Sequence, residues 1–141
     1  MTFVLRAAQP TDAGRIGEIL WENTRDAPDL YDLFSCAEAI ACCGQMIDRG
    51  WVTVAEREGQ VEAFLARDET DVEALYSAAS AARQGLGAVL VTEAQKMCDQ
   101  LQLNVHAANA GARRFYRRLG FVETETGPQA VHMTWTRETS I

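Results

Sequence analysis

Two glycines one residue apart, Gly85 and Gly87, stand where a predicted strand passes into an amphipathic helix. The first turn of a helix carries backbone N–H groups without an intrahelical acceptor and the positive end of the helix dipole. Glycine adopts positive φ without strain and has no Cβ to hold a phosphate away from the backbone. Arg83, two residues before Gly85, would add a fork of charged donors. This combination predicts an anion-binding site.

Two common phosphate-binding motifs do not account for these glycines. A Walker loop ends in Gly-Lys followed by Ser or Thr, whereas Gly87 is followed by Ala88 and Val89. A dinucleotide-binding fingerprint needs a third glycine, and Leu90 occupies that position. The pair alone is equally consistent with a flexible turn between a strand and a helix, so its interpretation depends on the rest of the chain.

The composition is typical of one acidic globular domain. The chain has 141 residues, of which 48% are hydrophobic, and a formal net charge of −7. This charge disfavours a nucleic-acid partner, because phosphate contacts need a basic surface. The sequence has no signal peptide and no apolar run long enough to span a membrane, so we expect a cytoplasmic protein without a membrane partner.

The cysteines and histidines form no pattern typical of a metal site or a disulfide framework. None of the four cysteines belongs to a Cys-x-x-Cys pair, and the two histidines complete no metal-ligand spacing. Cys42 and Cys43 lie in a helical pattern, where we expect reduced thiols in or near the core. The sequence therefore predicts no bound metal.

The hydrophobic periodicity predicts a mixture of helices and strands. In chain order these are a strand (3–7), two helices (13–23 and 35–49), three strands (51–57, 60–67 and 72–76), a helix ending near residue 100, a strand (101–106), a helix (110–119) and two strands (121–125 and 131–136). Thr11 or Asp12 would cap the first helix, and Ser35-x-x-Glu38 is a capping box for the second.

The connections between these elements predict the fold class. Glu58-Gly59 indicates a two-residue hairpin, and the three strands that follow the second helix form an antiparallel meander. The later strand-helix-strand unit requires a parallel pair. We expect an α/β fold with a central mixed, mostly antiparallel sheet and helices on both faces.

The stretch 105–121 resembles the second signature of the GNAT superfamily of acyl-CoA-dependent N-acyltransferases. That signature, Asn-x-x-Ala-x-x-Phe/Leu-Tyr-x-x-x-Gly-Phe, is matched by Asn109, Ala112, Phe115, Tyr116, Gly120 and Phe121. The stretch 83–88 resembles the family's pyrophosphate-binding signature, Gln/Arg-x-x-Gly-x-Gly/Ala. Its first position, usually Gln or Arg, is Ala82, and Arg83 stands where glycine is common.

This resemblance implies one GNAT-like domain over residues 1–141 with acetyl-CoA as the acyl donor. Its two central parallel strands, 72–76 and 103–106, would splay apart and hold the pantetheine arm much as an added strand. The pyrophosphate would lie on the backbone N–H groups of residues 84–88. The donor-binding residues implied in this way are Leu75, Tyr76, Arg83, Gln84, Gly85, Leu86, Gly87, Ala88, Asn109, Ala112 and Phe115.

Acyl transfer from a thioester to an amine needs a base for the amine, a donor for the oxyanion and an acid for the thiolate. The family match makes Tyr116 the acid, since a phenol is protonated at neutral pH; the alternative is a packing aromatic. Glu73 is our candidate base, acting through water, and its alternative is a solvated carboxylate. His106 and His132 are further candidates for the base. Asn109 would hold the donor or a water, or would simply cap its helix.

The acceptor is expected between the first two helices and the late hairpin. Tyr31 and Phe34 would contact a cationic amine there, together with Trp21, Asp29 and Asp32. The leading hypothesis is an N-acetyltransferase acting by direct transfer on a primary amine of a small molecule or a peptide. Alternatives are a non-catalytic acyl-CoA sensor of the same fold and a structural domain that has lost the donor. A homodimer through the late strands stays open.

Overall fold

The computed structural model describes residues 3–25, 35–81 and 84–137. The elements are β1 (Val4–Ala7), α1 (Ala13–Thr24), α2 (Cys36–Asp48), β2 (Val52–Arg57), β3 (Gln60–Asp68), β4 (Asp71–Ser77), α3 (Leu86–Met97), β5 (Gln100–His106), α4 (Ala110–Arg118), β6 (Val122–Thr126) and β7 (Ala130–Thr136). Short 3₁₀ turns at Pro10–Asp12 and Ala79–Ala81 precede α1 and α3. The predicted order of elements is confirmed.

One mixed sheet of seven strands, in the order β1-β2-β3-β4-β5-β7-β6, runs through the described part of the molecule. Neighbouring strands are antiparallel except β4 and β5. Glu58 and Gly59, with φ of 53° and 79°, form the predicted two-residue turn between β2 and β3. The expected fold class, mixed and mostly antiparallel, is confirmed.

The parallel strands β4 and β5 meet at one end and then separate. Their ladder contains the single matched pair Asp71 and Gln102. The Gln102 N–H donates to the Thr70 carbonyl at 2.9 Å, and the Gln102 side-chain amide bonds to the Asp71 carboxylate. In contrast, β5 pairs with β7 along its whole length, from Gln100 to His106. The splayed pair that the family resemblance implied is therefore present.

Helices cover both faces of the sheet and divide the core in two. Ile16, Ile19 and Leu20 of α1 pack with α2 on one face, where Phe64 of β3 is fully buried. Leu86, Leu90 and Val91 of α3 pack on the other face with side chains of α4, β5 and β7. Within the described ranges, no helix is both long enough and apolar enough to cross a membrane.

The third helix ends earlier than its periodicity predicts, at Met97 rather than near Gln100. Cys98 is extended, with φ −129° and ψ 152°, because Gln100 already pairs with Thr136 in the sheet. The Arg137 guanidinium donates to the carbonyls of Gln95, Lys96 and Cys98 at 3.0–3.1 Å. These bonds satisfy the last carbonyls of α3, which a helix end leaves without partners.

The start of the first helix also differs from the sequence expectation. Asp12 stands at the N-cap position, but its carboxylate makes no bond to α1 and accepts the Gln9 N–H at 2.7 Å. The Arg6 guanidinium donates to the same carboxylate at 2.8 and 3.1 Å, which holds the pKa of Asp12 below its usual range. The cap predicted for α2 is confirmed, since Ser35 Oγ accepts the Glu38 N–H at 3.1 Å.

Candidate active site

The glycine-led turn has the geometry that anion binding requires. Gly85 is left-handed, with φ +79°, and α3 begins at the next residue, Leu86. The N–H of Val89 bonds to the Gly85 carbonyl at 3.1 Å, which closes the first helical turn. The N–H groups of residues 86–88 therefore belong to the first turn, where no intrahelical acceptor precedes them. These N–H groups lie at the positive end of α3, and the binding of an anion by residues 84–88 stays a prediction.

Gly87 lies at the point where three elements of the site converge. A Cβ built on Gly87 would lie 3.3 Å from Cζ of Phe115 on α4 and 3.8 Å from Cδ2 of Leu75 on β4. The absence of a Cβ lets the start of α3 lie close to the Phe115 ring, whereas a Cβ would meet Leu75 only at ordinary van der Waals distance. The structure thus brings together three residues that the sequence assigned to donor binding.

Glu73, the candidate base, is the extra residue of a β-bulge in β4. Ala66 pairs with Ala74 and Arg67 pairs with Val72, so Glu73 has no matched residue on β3. Bulges redirect side chains and are common next to active sites. The exposed Glu73 lies two residues beyond Asp71, where β4 leaves β5, and it helps line a cavity of about 200 Å³. The other lining residues are Leu20, Cys42, Gln45, Met46, Arg49, Trp51 and Ala74.

Tyr116, the candidate acid, is buried on α4 among aromatic rings. Its ring makes edge-on contacts with Phe115 and Phe121, at centroid distances of 5.0 and 5.3 Å. It belongs to the core on the α3 side of the sheet, with Leu86 and Leu103. The packing alternative weighed for this residue is therefore observed, and the catalytic role stays a prediction.

Asn109 caps α4, because its Oδ1 accepts the Ala112 N–H at 3.0 Å. The helix-capping alternative is therefore observed, and a role in donor binding stays a prediction.

An ion pair that attaches α4 to β6 was not predicted from the sequence. The Arg113 guanidinium donates to both carboxylate oxygens of Glu123, at 2.9 and 3.0 Å, and to the Ala107 carbonyl at 3.0 Å. This pairing lowers the pKa of Glu123 and holds in place the helix that carries Tyr116.

The two histidines both have hydrogen-bond partners. Nδ1 of His106 accepts the Ala108 N–H at 3.3 Å, next to the start of α4. Nδ1 of His132 lies 3.0 Å from Oδ1 of Asn104, its neighbour across the β5–β7 ladder.

Some of the remaining predicted residues pack on opposite faces of the sheet, and others lie outside the described ranges. Leu75 packs toward α3 and α4, whereas Tyr76 packs toward α1 and α2, with its ring 6.1 Å from Phe64. Trp21 is half-buried against the α1–α2 core. The predicted residues that lie outside the described ranges are Asp29, Tyr31, Asp32, Phe34, Ala82 and Arg83.

The acetyltransferase (GNAT) domain model matches residues 37–137, and the chain belongs to this family. A curated relative, the 5-NmdU N-acetyltransferase of Pseudomonas phage PaMx11, is 37% identical over 82 residues. That alignment covers 52% of this chain, and the chain spans only 59% of the relative's length.

Solved structures of acetyltransferases share the fold. The PaiA N-acetyltransferase of Thermoplasma acidophilum in complex with coenzyme A has a TM-score of 0.76 and 18% identity, covering 96% of this chain and 99% of that one. YncA of Salmonella typhimurium with acetyl-CoA has the same score and identity, covering 100% and 97%. A GNAT-family acetyltransferase of Bacillus cereus reaches 0.79 at 11% identity, covering 99% and 100%.

Proposed function

We propose that this chain is an N-acetyltransferase that moves an acetyl group from acetyl-CoA to a primary amine. The observation that carries this proposal is the opening between β4 and β5, which are joined at Asp71 and Gln102 alone. An extended ligand can bond to strand backbone that a neighbouring strand does not occupy. The opening adjoins the first turn of α3, so one ligand with a linear arm and a diphosphate would use both features.

The described residues fit acetyl-CoA as the donor. First-turn N–H groups of residues 86–88 suit a diphosphate, and Gly87 leaves room for close approach. Leu75 and Phe115, which meet at Gly87, supply an apolar wall beside the turn. Two relatives of the same fold were solved with coenzyme A or acetyl-CoA, which supports the same donor here.

The chain's own groups supply the proton transfers. Acetyl-CoA provides an acetyl group on a thioester, which the neutral amine attacks. Glu73, exposed on its bulge, accepts the proton of the amine through a water. Tyr116 donates its phenolic proton to the departing thiolate. The C–N bond forms as the C–S bond breaks, and one proton leaves the amine while one reaches the thiol.

The surroundings of Glu73 favour an amine with a second polar or planar group. Arg49 and Trp51 line the same cavity, with the Arg49 guanidinium carbon 5.0 Å from the Trp51 ring centroid. The Glu73 carboxylate suits a cationic amine, and the stacked Arg49 guanidinium suits an anionic or aromatic portion. The phage relative is a 5-NmdU N-acetyltransferase, so 5-NmdU joins peptides and small alkylamines as a candidate acceptor.

The test is an acetyl-transfer assay with acetyl-CoA and those three acceptor classes. We expect thiol release that depends on the acceptor, together with a product heavier by one acetyl group. Thiol release without an acylated amine would indicate hydrolysis and would contradict amine transfer. Saturable donor binding with no acylated product from any acceptor would favour the non-catalytic acyl-CoA sensor.

A further inference from the structure

Arg57, the last residue of β2, connects a buried carboxylate to the glycine-led turn. One terminal nitrogen of its guanidinium donates to the side-chain carbonyl of Gln84, the residue directly before Gly85. The other lies 3.5 Å from a carboxylate oxygen of Glu62. The Arg57 side chain is 17% exposed and that of Glu62 only 7%. The link therefore runs from the interior to the start of the proposed diphosphate site.

Glu62 is held in place by its backbone as well as by its charge. It is the extra residue of a β-bulge in β3, because Ala55 pairs with Ala63 and Glu56 with Val61. Its carbonyl accepts the N–H of Ala78 at 2.8 Å, just beyond β4. A carboxylate anchored at a bulge gives Arg57 a fixed partner.

A second arginine, Arg15, also pairs with Glu62. Nη2 of Arg15 on α1 lies 3.7 Å from Glu62, and its Nε donates to the Val61 carbonyl at 2.9 Å. Glu62 therefore lies within ion-pair distance of two guanidinium groups, which hold its carboxylate in place. The Arg57 guanidinium also lies 5.5 Å from the centroid of the Phe3 ring, which restricts its movement further.

We propose that Arg57 is a positioning residue for the acyl donor, and this inference rests on the proposed function. Held by Glu62, Arg57 fixes Gln84 and thereby the approach of the chain to Gly85. The pyrophosphate signature usually begins with Gln or Arg, and Ala82 at that position has no polar side chain. Arg57 instead reaches Gln84 from β2, which β3 separates from β4, and adds its charge to that side of the site.

The test compares donors that differ in the diphosphate. Calorimetry gives the Kd of acetyl-CoA, and an NMR titration gives that of S-acetyl-pantetheine, which has no diphosphate. In R57Q we expect acetyl-CoA to bind about tenfold more weakly, because the variant loses the positive charge on that side of the turn and the charged hydrogen bond that fixes Gln84. S-acetyl-pantetheine binding should be unchanged, and R57K should lie between R57Q and the wild type.

Two further variants separate donor binding from folding. R67Q is the matched control. Arg67 lies near the end of β3 and donates to the Glu69 carbonyl, and it makes no bond to Gln84 that would be lost in the variant. It should bind both donors like the wild type. The double variant R57Q/E62Q removes the buried carboxylate that R57Q leaves with one fewer partner. It should recover thermal stability and keep the weakened acetyl-CoA binding.

The outcomes are distinguishable. Acetyl-CoA binding by R57Q/E62Q at wild-type strength would overturn the inference, as would equal losses for both donors in R57Q. A wild-type protein that binds no acetyl-CoA would contradict the proposed function itself. Selective loss of acetyl-CoA binding, maintained in the double variant, would support both the function and the role of Arg57.

Discussion

The Tyr116 ring lies between Phe115 and Phe121, so removing its hydroxyl alone separates packing from chemistry. We predict that Tyr116→Phe lowers turnover about 100-fold, the low end of the usual range for a general acid. The low end is expected because a thiol has an ordinary pKa of about 8.5 and its thiolate leaves readily. Turnover is measured by thiol release under saturating donor.

Acetyl-CoA affinity and thermal stability serve as controls for Tyr116→Phe. Both should stay close to wild type, because the ring and its aromatic contacts are kept. Wild-type turnover in this variant would remove Tyr116 from the mechanism and leave it as a core residue. A matching loss of donor affinity would instead place the hydroxyl in donor binding.

Single residues were predictable where local backbone rules apply. Gly85 is left-handed and Asn109 caps its helix, as their positions in sequence indicated. The link between Arg57 and Glu62 was not predictable, because it depends on a bulge that the alternating pattern of β3 does not reveal. The contact of Arg57 with Gln84 joins residues that only the folded sheet brings together.

In the proposed function, donor binding depends on the first turn of α3. We predict that Gly87→Glu weakens acetyl-CoA binding at least about tenfold, or about 1.4 kcal/mol. A new Cβ would lie 3.3 Å from Phe115, and a carboxylate would repel the diphosphate. The fold should persist, because an acidic side chain in a first helical turn stabilises the helix. Calorimetric Kd values give the measurement.

Gly14→Glu is the matched control for Gly87→Glu. Gly14 also lies in the first turn of a helix, α1, and a Cβ there meets nothing within 4 Å. Its donor affinity should equal that of the wild type. Equal affinity in the Gly87 variant would show that the anion site is elsewhere.

Elements were predictable in type and order, but their ends were set by tertiary contacts. The periodicity of α3 cannot show that Gln100 pairs with Thr136, and this pairing ends the helix at Met97. In α1, Asp12 has the right residue type for a cap, but Arg6 and the Gln9 N–H take its carboxylate. In both cases a competing partner, either distant in sequence or just before the helix, changed the predicted end or cap of the helix.

At the scale of the whole molecule, the proposed site lies where the sheet is incomplete. The single parallel contact at Asp71 and Gln102 opens the sheet between the two helical layers. The start of α3 lies on one side of this opening, and the cavity at Glu73 lies on the side of α1 and α2. In the proposed function, donor and acceptor would approach the same strands from opposite faces. The family resemblance implied the opening, which periodicity alone does not reveal.

The central claim is that this chain binds an acyl-CoA donor in the opening between β4 and β5. Its most direct test is a calorimetric titration of the wild-type protein with acetyl-CoA, with CoA and desulfo-CoA as comparison ligands. We predict saturable binding of all three at one site, with acetyl-CoA between about 1 μM and 1 mM, the usual range for substrates. No detectable binding of any of the three at millimolar ligand would contradict the account.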